Sequence, residues 1–286
     1  MSRIVFALMW LAHFLPDKLL ARLGEAVGAL AFQLIPERRN VTRINLKKCF
    51  PAMPDAERER LARAHFRAFV RAFSDRAILW WGARERVAQG VSLEGLEHLE
   101  GHRRVILLAP HFVGLDMGFT RIALERDIAM LHSRQKDPRF ERLLHHGRAR
   151  FGRAALFTRQ EGLRASLKAL EAGALYYYLP DLDYGRQHAV FVPFFGVPAA
   201  TITGLSFIAR ETGARVVPCM TRMLPGGGYA TRLYPAWDDF PGADPVADAR
   251  RMNAFIEERV LEMPEQYYWM HKRFKTRPEG EPRFYE

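Results

Sequence analysis

The arrangement of apolar and polar residues changes near residue 100. Before that point apolar residues recur mostly at spacings of three and four, which is typical of amphipathic helices. After it, short continuous apolar runs alternate with helix-like stretches, which is typical of buried strands in an α/β sheet. The pattern predicts a helical part over 1–90 packed on an α/β part over 91–286. Because no linker-like composition separates the two, we expect one compact unit.

Three helical segments are predicted in the N-terminal part. The apolar run 4–15 is shorter than the ~20 residues that cross a bilayer, and no small-residue cleavage site follows it before Pro16. The stretch 19–35 is also mostly apolar. A long helix is expected from an N-cap at Asp55 to about Trp81. The first two segments are either interfacial helices lying on a membrane, which we favour, or ordinary core helices.

The α/β part is predicted to contain a mixed, mostly parallel sheet flanked by helices. Strands are expected at 91–94, 105–109, 128–131, 154–157, 174–179 and 215–223, the last joined to 229–234 by a hairpin turn. Helices are expected at 114–126, 138–150, 160–172, 203–213 and 246–260. The predicted fold class is therefore α/β with an N-terminal helical, membrane-associating part.

Charge and cysteine content restrict the possible partners and site chemistry. Lys and Arg number 43 against 32 Asp and Glu, which gives a net charge of +11. A surplus of this size predicts an anionic partner, which nucleic acid, a phosphate-bearing lipid or an acidic carrier protein would each satisfy. Cys49 and Cys219 lie far apart in the chain, which excludes a disulfide scaffold and a cysteine zinc site.

The segment Ala109-Pro-His-Phe-Val-Gly-Leu-Asp116 carries the sharpest candidate chemistry. His111 leaves the carboxyl end of a predicted buried strand, where active sites of open α/β sheets gather, and Asp116 follows at the start of a helix. A histidine and an aspartate meeting there form a general base and the group that orients it. The alternative is a loop histidine beside a helix-capping aspartate. No GxSxG elbow is present, so the dyad would act on a substrate hydroxyl directly.

A second polar turn, Asp181-Leu-Asp183-Tyr184-Gly185, also follows a predicted strand. An Asp-x-Asp pair is compatible with a divalent metal in a glycosyltransferase or hydrolase, with a polar substrate pocket, or with a solvated turn. A metal site that also uses His111 and Asp116 lacks an HxH or HExxH motif. Arginines cluster after residue 130, and Arg159 is expected near the strand ends just before a helix.

Several blocks together carry a family resemblance. They are the His-x4-Asp segment, the 181–185 turn, Phe191-Val-Pro-Phe-Phe-Gly196, the 45–51 segment and the long tail motif from Pro264 to Gly280. With these, the chain closely resembles the late acyltransferases of lipid A biosynthesis, which are related to the glycerolipid acyltransferases. The resemblance covers nearly the whole chain, and the tail motif is its most specific part.

The resemblance implies a reaction, partners and residue roles. Such enzymes move a fatty acyl chain from acyl carrier protein to a hydroxyl of an acyl chain on a Kdo-bearing lipid A precursor, at the cytoplasmic face of the inner membrane. His111 would be the general base and Asp116 its orienter. Arg159 would hold a substrate phosphate or the thioester oxygen, and the turn containing Asp181, Asp183, Tyr184 and Gly185 would shape the acceptor pocket. Neither a metal, an organic cofactor nor nucleic acid is expected.

The chain departs from the family pattern at two places. Where the family has an aromatic-Arg-Pro run, this chain reads His132-Ser-Arg-Gln135, so that Arg134 is shifted by one position. The N-terminal apolar segment is also shorter than the anchor of many members. Three alternatives remain: another membrane glycerolipid-type acyltransferase, a metal-dependent glycosyltransferase, and a non-enzymatic binder of nucleic acid or membrane surfaces.

Overall fold

The computed structural model describes residues 3–285 and begins with five consecutive helices. They are α1 (Arg3–Ala12), α2 (Asp17–Leu34), α3 (Pro36–Cys49), α4 (Asp55–Trp81) and α5 (Arg84–Gly90). The expected long helix is confirmed, but Asp55 is its first residue and Pro54 occupies the N-cap. The Asp55 carboxylate pairs with Arg58 one turn along the helix and does not cap the backbone.

The α/β part follows directly. Its strands are β1 (Val91–Glu94), β2 (Val105–Leu108), β3 (Ile128–His132), β4 (Ala154–Thr158), β5 (Leu175–Tyr178), β6 (Ala189–Phe194), β7 (Val197–Ile202), β8 (Arg215–Met223) and β9 (Tyr229–Leu233). Its helices are α6 (Leu115–Ala123), α7 (Pro138–Ala149), α8 (Leu163–Glu171), α9 (Gly204–Thr212) and α10 (Pro245–Glu262).

Seven strands form one sheet in the order β1-β9-β8-β2-β5-β3-β4. Every neighbouring pair is parallel except the β8–β9 hairpin. The predicted mixed, mostly parallel sheet is therefore confirmed. The separate antiparallel hairpin of β6 and β7 was not predicted, because Pro193 and Pro198, which face each other in register, are poor strand formers.

The helical part and the sheet part share hydrophobic packing. Phe32 and Phe66 belong to the same buried cluster as Ile106 and Leu108 of the central strand β2. Helix α2 lies against α4 at two glycines, Gly24 and Gly28, where an added Cβ would come within 2.7 and 2.6 Å of α4 backbone atoms. This close approach turns one face of α2 inward and leaves the opposite face to solvent.

The solvent-facing side of α2 is apolar. We call the exposed residues at helical spacing on this helix the outer stripe: Leu19, Leu23, Val27, Leu30 and Leu34. Helix α1 adds exposed Ile4, Leu8 and Leu11. Within residues 3–285 no single helix is long and apolar enough to cross a membrane, although α2 and α3, bent by 93° at their junction, pass the length and composition test as a broken pair.

Candidate active site

A cavity of about 680 Å³ opens at the carboxyl ends of the central strands. His111 follows β2, Arg159 follows β4 and His132 ends β3, and all three line the cavity. The strand ends bring these side chains together although they are far apart in sequence, as expected for a parallel sheet. The location of the cavity agrees with the predicted position of the site.

His111 is held by Asp181, which follows the neighbouring strand β5. The imidazole Nδ1 lies 2.7 Å from Asp181 Oδ1, and the His111 backbone N–H donates to both carboxylate oxygens at 3.1 and 3.0 Å. Asp181 is 1% exposed. Burial acts to raise the pKa of Asp181, but the charge of His111 and its hydrogen bonds outweigh this effect and lower the pKa below the ordinary value.

Asp116 is not the hydrogen-bond partner of His111 in the described chain. Arg148 donates from Nε and Nη2 to its Oδ1 at 2.9 and 2.6 Å, and Arg76 Nε donates to its Oδ2 at 2.8 Å. Burial acts to raise the pKa of Asp116, but the two guanidinium groups hold it well below the ordinary value. The expected pairing of His111 with Asp116 is thus replaced, because the first turn of α6 directs the aspartate toward α4 and α7.

One of the two arginines that bind Asp116 nevertheless reaches the cavity. Arg148 lines the cavity together with His111 and Arg159. With Nε and Nη2 bound to the carboxylate, Arg148 keeps Nη1, for which no hydrogen bond to any residue of 3–285 is recorded. A guanidinium fixed in this way can donate to a carbonyl or phosphate oxygen of a ligand.

Asp183 faces the C-terminal tail and not the cavity, and Gly185 bonds to it. The Asp183 carboxylate accepts from the Thr276 backbone N–H at 2.6 Å, from the Thr276 hydroxyl at 2.7 Å and from the Gly185 backbone N–H at 3.0 Å. Gly185 has a φ of +95°, which favours glycine. Neither residue lines the cavity. In this structure Asp183 anchors the tail, so a direct contact with substrate has no support from its geometry.

Tyr184 and Arg159 form the polar rim of the cavity. The Arg159 guanidinium lies over the Tyr184 ring, 3.9 Å from its centroid, and both side chains line the cavity. Burial raises the pKa of Tyr184, and the cation of Arg159 partly opposes the shift. Arg134 is exposed and absent from the lining, although its neighbours Ser133 and Gln135 contribute to it.

The remainder of the lining is largely apolar and aromatic. Its members away from the charged residues include Leu131, Leu163, Tyr176, Ile202, Phe207 and Ile208. Two buried polar atoms beside them, the Tyr178 hydroxyl and His132 Nδ1, have no hydrogen-bond partner among residues 3–285. A cavity with a basic rim and an apolar body suits a ligand that combines a polar head with a hydrocarbon chain.

The tail motif supports the His111 loop from its other side. The Tyr268 backbone N–H donates to the His111 carbonyl at 3.0 Å, and Val113 N–H donates to the Gln266 carbonyl at 2.9 Å. Tyr267 also pairs with Phe112 in an isolated antiparallel β-bridge. The sequence marked this segment as a family signature but gave it no role, since only tertiary structure brings it to the loop.

The metal alternative requires clustered ligands. Across the described residues, no group of three or more His, Cys, Asp or Glu side chains is placed to hold a metal ion. Asp181 and Asp183, on which that alternative depended, are bonded to His111 and Thr276 respectively.

Comparison with known proteins identifies the family. The family model for bacterial lipid A biosynthesis acyltransferases matches residues 2–276. The lipid A biosynthesis lauroyltransferase of Escherichia coli strain K12 is 33% identical over 97% of this chain and 92% of that protein. The palmitoleoyltransferase of the same strain is 32% identical over the same shares, and the myristoyltransferase is 35% identical over 93% and 82%. The chain therefore belongs to the bacterial lipid A biosynthesis acyltransferase family and is an acyltransferase.

Proposed function

We propose that this protein transfers a fatty acyl chain from acyl carrier protein to a hydroxyl group of a Kdo-bearing lipid A precursor, with His111 as the general base. The observation that carries the proposal is the position of His111. It lies at the cavity with Nδ1 bound to a buried carboxylate, while no hydrogen bond to a described residue is recorded for Nε2. An imidazole with one nitrogen fixed and the other unbonded is suited to accept a proton from a substrate.

The chemical steps follow from this geometry. Nε2 of His111 takes the proton of the acceptor hydroxyl, whose oxygen attacks the thioester carbonyl carbon. A C–O bond forms, the C–S bond breaks, and the imidazolium returns its proton to the leaving thiolate. Arg159 and Arg148, both on the cavity lining, can stabilise the oxygen that becomes negative in the tetrahedral intermediate or hold a substrate phosphate.

The proposed partners agree with the net charge of the chain. A surplus of +11 attracts both a phosphorylated acceptor and an acidic carrier protein. The apolar body of the cavity, which includes Leu163 and Phe207, would receive the hydrocarbon chain. Phe207 is 50% exposed although it also lines the cavity, and we assign it to the entrance.

We further propose that the protein works on the inner membrane at its cytoplasmic face, with α1 and α2 lying in the bilayer surface. The outer stripe exposes a row of aliphatic side chains, and basic residues follow closely on α3: Arg38, Arg39, Arg43, Lys47 and Lys48. Apolar burial combined with attraction to anionic headgroups is how interfacial helices bind. This position would keep the protein close to a substrate that stays in the bilayer.

Transfer activity of a histidine variant tests the proposal. The purified protein is incubated with acyl-acyl carrier protein and the Kdo-bearing precursor in detergent micelles, and the added acyl mass is measured. We expect His111→Ala to lower the rate by about 10²- to 10⁴-fold, which is the usual contribution of a general base. His145→Ala, which changes an exposed histidine of α7 outside the cavity, is the matched control.

Two results would contradict the proposal. One is a His111→Ala protein that is folded and retains the wild-type rate. The other is a wild-type protein that adds no acyl mass to the precursor although its donor and acceptor are intact.

A further inference from the structure

We propose that exposed cations beside the cavity mouth form the docking surface for the acidic carrier protein that delivers the acyl chain. We call Arg134, Lys136 and Arg139, which lie between the end of β3 and the first turn of α7, the mouth patch. This inference rests on the proposed function, which takes that carrier protein as the donor. It assigns the contact to residues that lie outside the cavity lining.

The mouth patch lies at the rim of the cavity. Its neighbours in the chain, Ser133 and Gln135, are exposed and also line the cavity. The Arg159 backbone N–H donates to the His132 carbonyl at 3.1 Å, so the loops that follow β3 and β4 lie side by side. Arg159 lines the cavity as well. The mouth patch therefore borders the opening through which a donor would enter.

The surrounding segment carries more than half of the net charge of the chain. Residues 133–164 contain nine Lys and Arg against three Asp and Glu, a surplus of six out of the total of +11. Charge of one sign collected around a cleft raises the local concentration of an oppositely charged partner and its rate of association. The segment is thus suited to attract an acidic molecule to the cavity.

The three acidic side chains of this segment bind within it and do not neutralise the mouth patch. Asp137 is the N-cap of α7, and its Oδ1 accepts from two backbone N–H groups at 2.9 and 3.3 Å. Glu141 accepts from the Gln135 N–H at 2.9 Å, and Glu161 accepts from the N–H and the hydroxyl of Thr158, both at 2.7 Å. The side chains of the mouth patch make no hydrogen bond or ion pair with any residue of 3–285.

The size of the cavity requires a docking surface outside it. A volume of about 680 Å³ accommodates an acyl chain but not a folded protein. The body of the carrier protein must therefore remain outside the mouth while its thioester reaches His111. The mouth patch lies where that body would rest, and complementary charge at such a rim increases the rate of association and fixes the orientation of the partner.

The composition of the surface favours a water-soluble protein over a lipid bilayer. Helices that lie in a membrane surface combine cations with exposed apolar side chains, as the outer stripe and α3 do. In the described chain, no large apolar side chain between Ile35 and Phe207 is exposed. The mouth patch thus presents cations without an adjoining apolar surface from its own segment, which matches an acidic protein surface.

Reversing the charge of the mouth patch tests the proposal. The variant combines Arg134→Glu, Lys136→Glu and Arg139→Glu in the full chain, and transfer to the Kdo-bearing precursor is measured at varied concentrations of acyl-acyl carrier protein. We expect KM for this donor to rise by about tenfold or more while kcat changes by less than about twofold, because rim charges control encounter and not the chemical step. An unchanged KM would overturn the inference.

The matched control combines Arg103→Glu, Arg126→Glu and Lys168→Glu. These exposed residues lie shortly before β2, β3 and β5, at the amino ends of the strands, whereas the cavity opens at the carboxyl ends. The control changes the net charge by the same amount, and KM should stay close to the wild-type value. An equal rise of KM in both variants would assign the effect to overall charge and would overturn the inference.

Binding without turnover separates this inference from the proposed function. Fluorescence anisotropy of labelled carrier protein should show that His111→Ala binds it as wild type does, and that the mouth-patch variant binds about tenfold more weakly. Carrier binding through the mouth patch without any acyl transfer by the wild type would contradict the proposed function alone. Retained carrier binding in the mouth-patch variant, together with loss of binding to anionic vesicles, would make the patch a lipid-binding surface and overturn the inference.

Cross-linking of the unaltered protein covers the case in which the variant fails to fold. Folding is expected, because Arg139 lies in the first turn of α7, where an acidic residue is favoured. Lys136 is the one lysine of the mouth patch, and a carbodiimide joins its amine to a carboxylate in contact with it. We expect mass spectrometry to find Lys136 joined to the carrier protein. Cross-links only at other lysines such as Lys168, or none at Lys136, would contradict the proposal.

Discussion

Leucines have opposite environments in the sheet and in helix α2. Leu107 of β2 is 0% exposed and lies in a buried cluster with Phe119 and Ile122 of α6. Leu30 of α2 is 57% exposed, and its neighbours on the outer stripe face solvent with it. The two residues have the same side chain and the same transfer free energy from water, but only Leu107 gains that energy when the chain folds.

The contrast shows what the apolar residues of α2 contribute. Helix α2 is held to α4 by its inner face, where Gly24 and Gly28 allow the backbones to approach closely. The outer stripe takes no part in that contact. A continuous apolar row that folding leaves exposed is typical of a surface that binds another apolar phase. We therefore expect the sheet leucines to control stability and the stripe leucines to control association.

The largest effect is expected from truncating a sheet leucine. Leu107→Ala removes a fully buried side chain next to the strand end that leads to His111, so we expect the free energy of unfolding to fall by about 2–5 kcal/mol. Leu30→Ala should change it by about 0.5 kcal/mol or less, as is usual for exposed positions. Urea unfolding followed by circular dichroism measures both. Equal losses in the two variants would remove the distinction between the regions.

A second prediction concerns the polar contacts that link helices α2 and α4 to strand β9 of the sheet. Asp75 of α4 accepts from the Tyr229 hydroxyl of β9 at 2.6 Å, and Arg71, 3.8 Å away, also pairs with Glu25 of α2. Burial raises the pKa of Asp75 to about 6, because the hydrogen bond from Tyr229 and the charges of Arg71 and Arg86 do not compensate for desolvation. The folded state therefore binds more protons than the unfolded state between about pH 4 and pH 6.

The sign of this linkage gives the expected pH dependence. Protonated Asp75 contributes roughly 3 kcal/mol to the free energy of unfolding. This contribution is fully present below about pH 3.9, the ordinary pKa of an aspartate in the unfolded chain, and it is lost as the pH rises through about 6. Asp75→Asn should remove that slope because the amide oxygen still accepts from Tyr229 but does not titrate. Urea unfolding at several values between pH 4.5 and 7.5 measures it, with exposed Asp239→Asn as control. Parallel pH profiles for wild type and Asp75→Asn would contradict the assignment.

The sequence predicted the sheet well because its signals are local. Continuous apolar runs such as 105–109, bounded by polar residues, indicated buried strands, and all of the expected strands are present. The β6–β7 hairpin was missed because prolines interrupt its apolar pattern. Local periodicity does not specify strand order or register, so the sequence alone could not show which loops become neighbours.

The site was predicted in part for the same reason. His111 and Arg159 line the cavity as their positions after strands indicated. The His-x4-Asp spacing and the family resemblance predicted Asp116 as the partner of His111. The structure brings Asp181 to the imidazole from a strand 70 residues further along the chain. One cue could have indicated this pairing: each residue lies at the same distance beyond a strand, and the two strands are neighbours.

The smallest stability effect is expected on the outer stripe, where the effect on association is the informative one. Replacing Leu23, Val27 and Leu30 together with Gln should leave the free energy of unfolding nearly unchanged, because all three are exposed. Sedimentation with vesicles of phosphatidylethanolamine and phosphatidylglycerol should show binding weakened by tenfold or more, or about 1.4 kcal/mol.

The matched control for the stripe variant replaces two exposed apolar residues of α10, Val246 and Leu261, with Gln. It removes apolar surface of the same kind from a helix that we do not place at the membrane, so vesicle binding should be retained. If the control lost binding as strongly as the stripe variant, general surface hydrophobicity would explain the association. If the stripe variant bound vesicles as well as wild type, the exposed face of α2 would not be the membrane-binding surface. Only a loss confined to the stripe variant agrees with separate roles for the leucines of α2 and of the sheet.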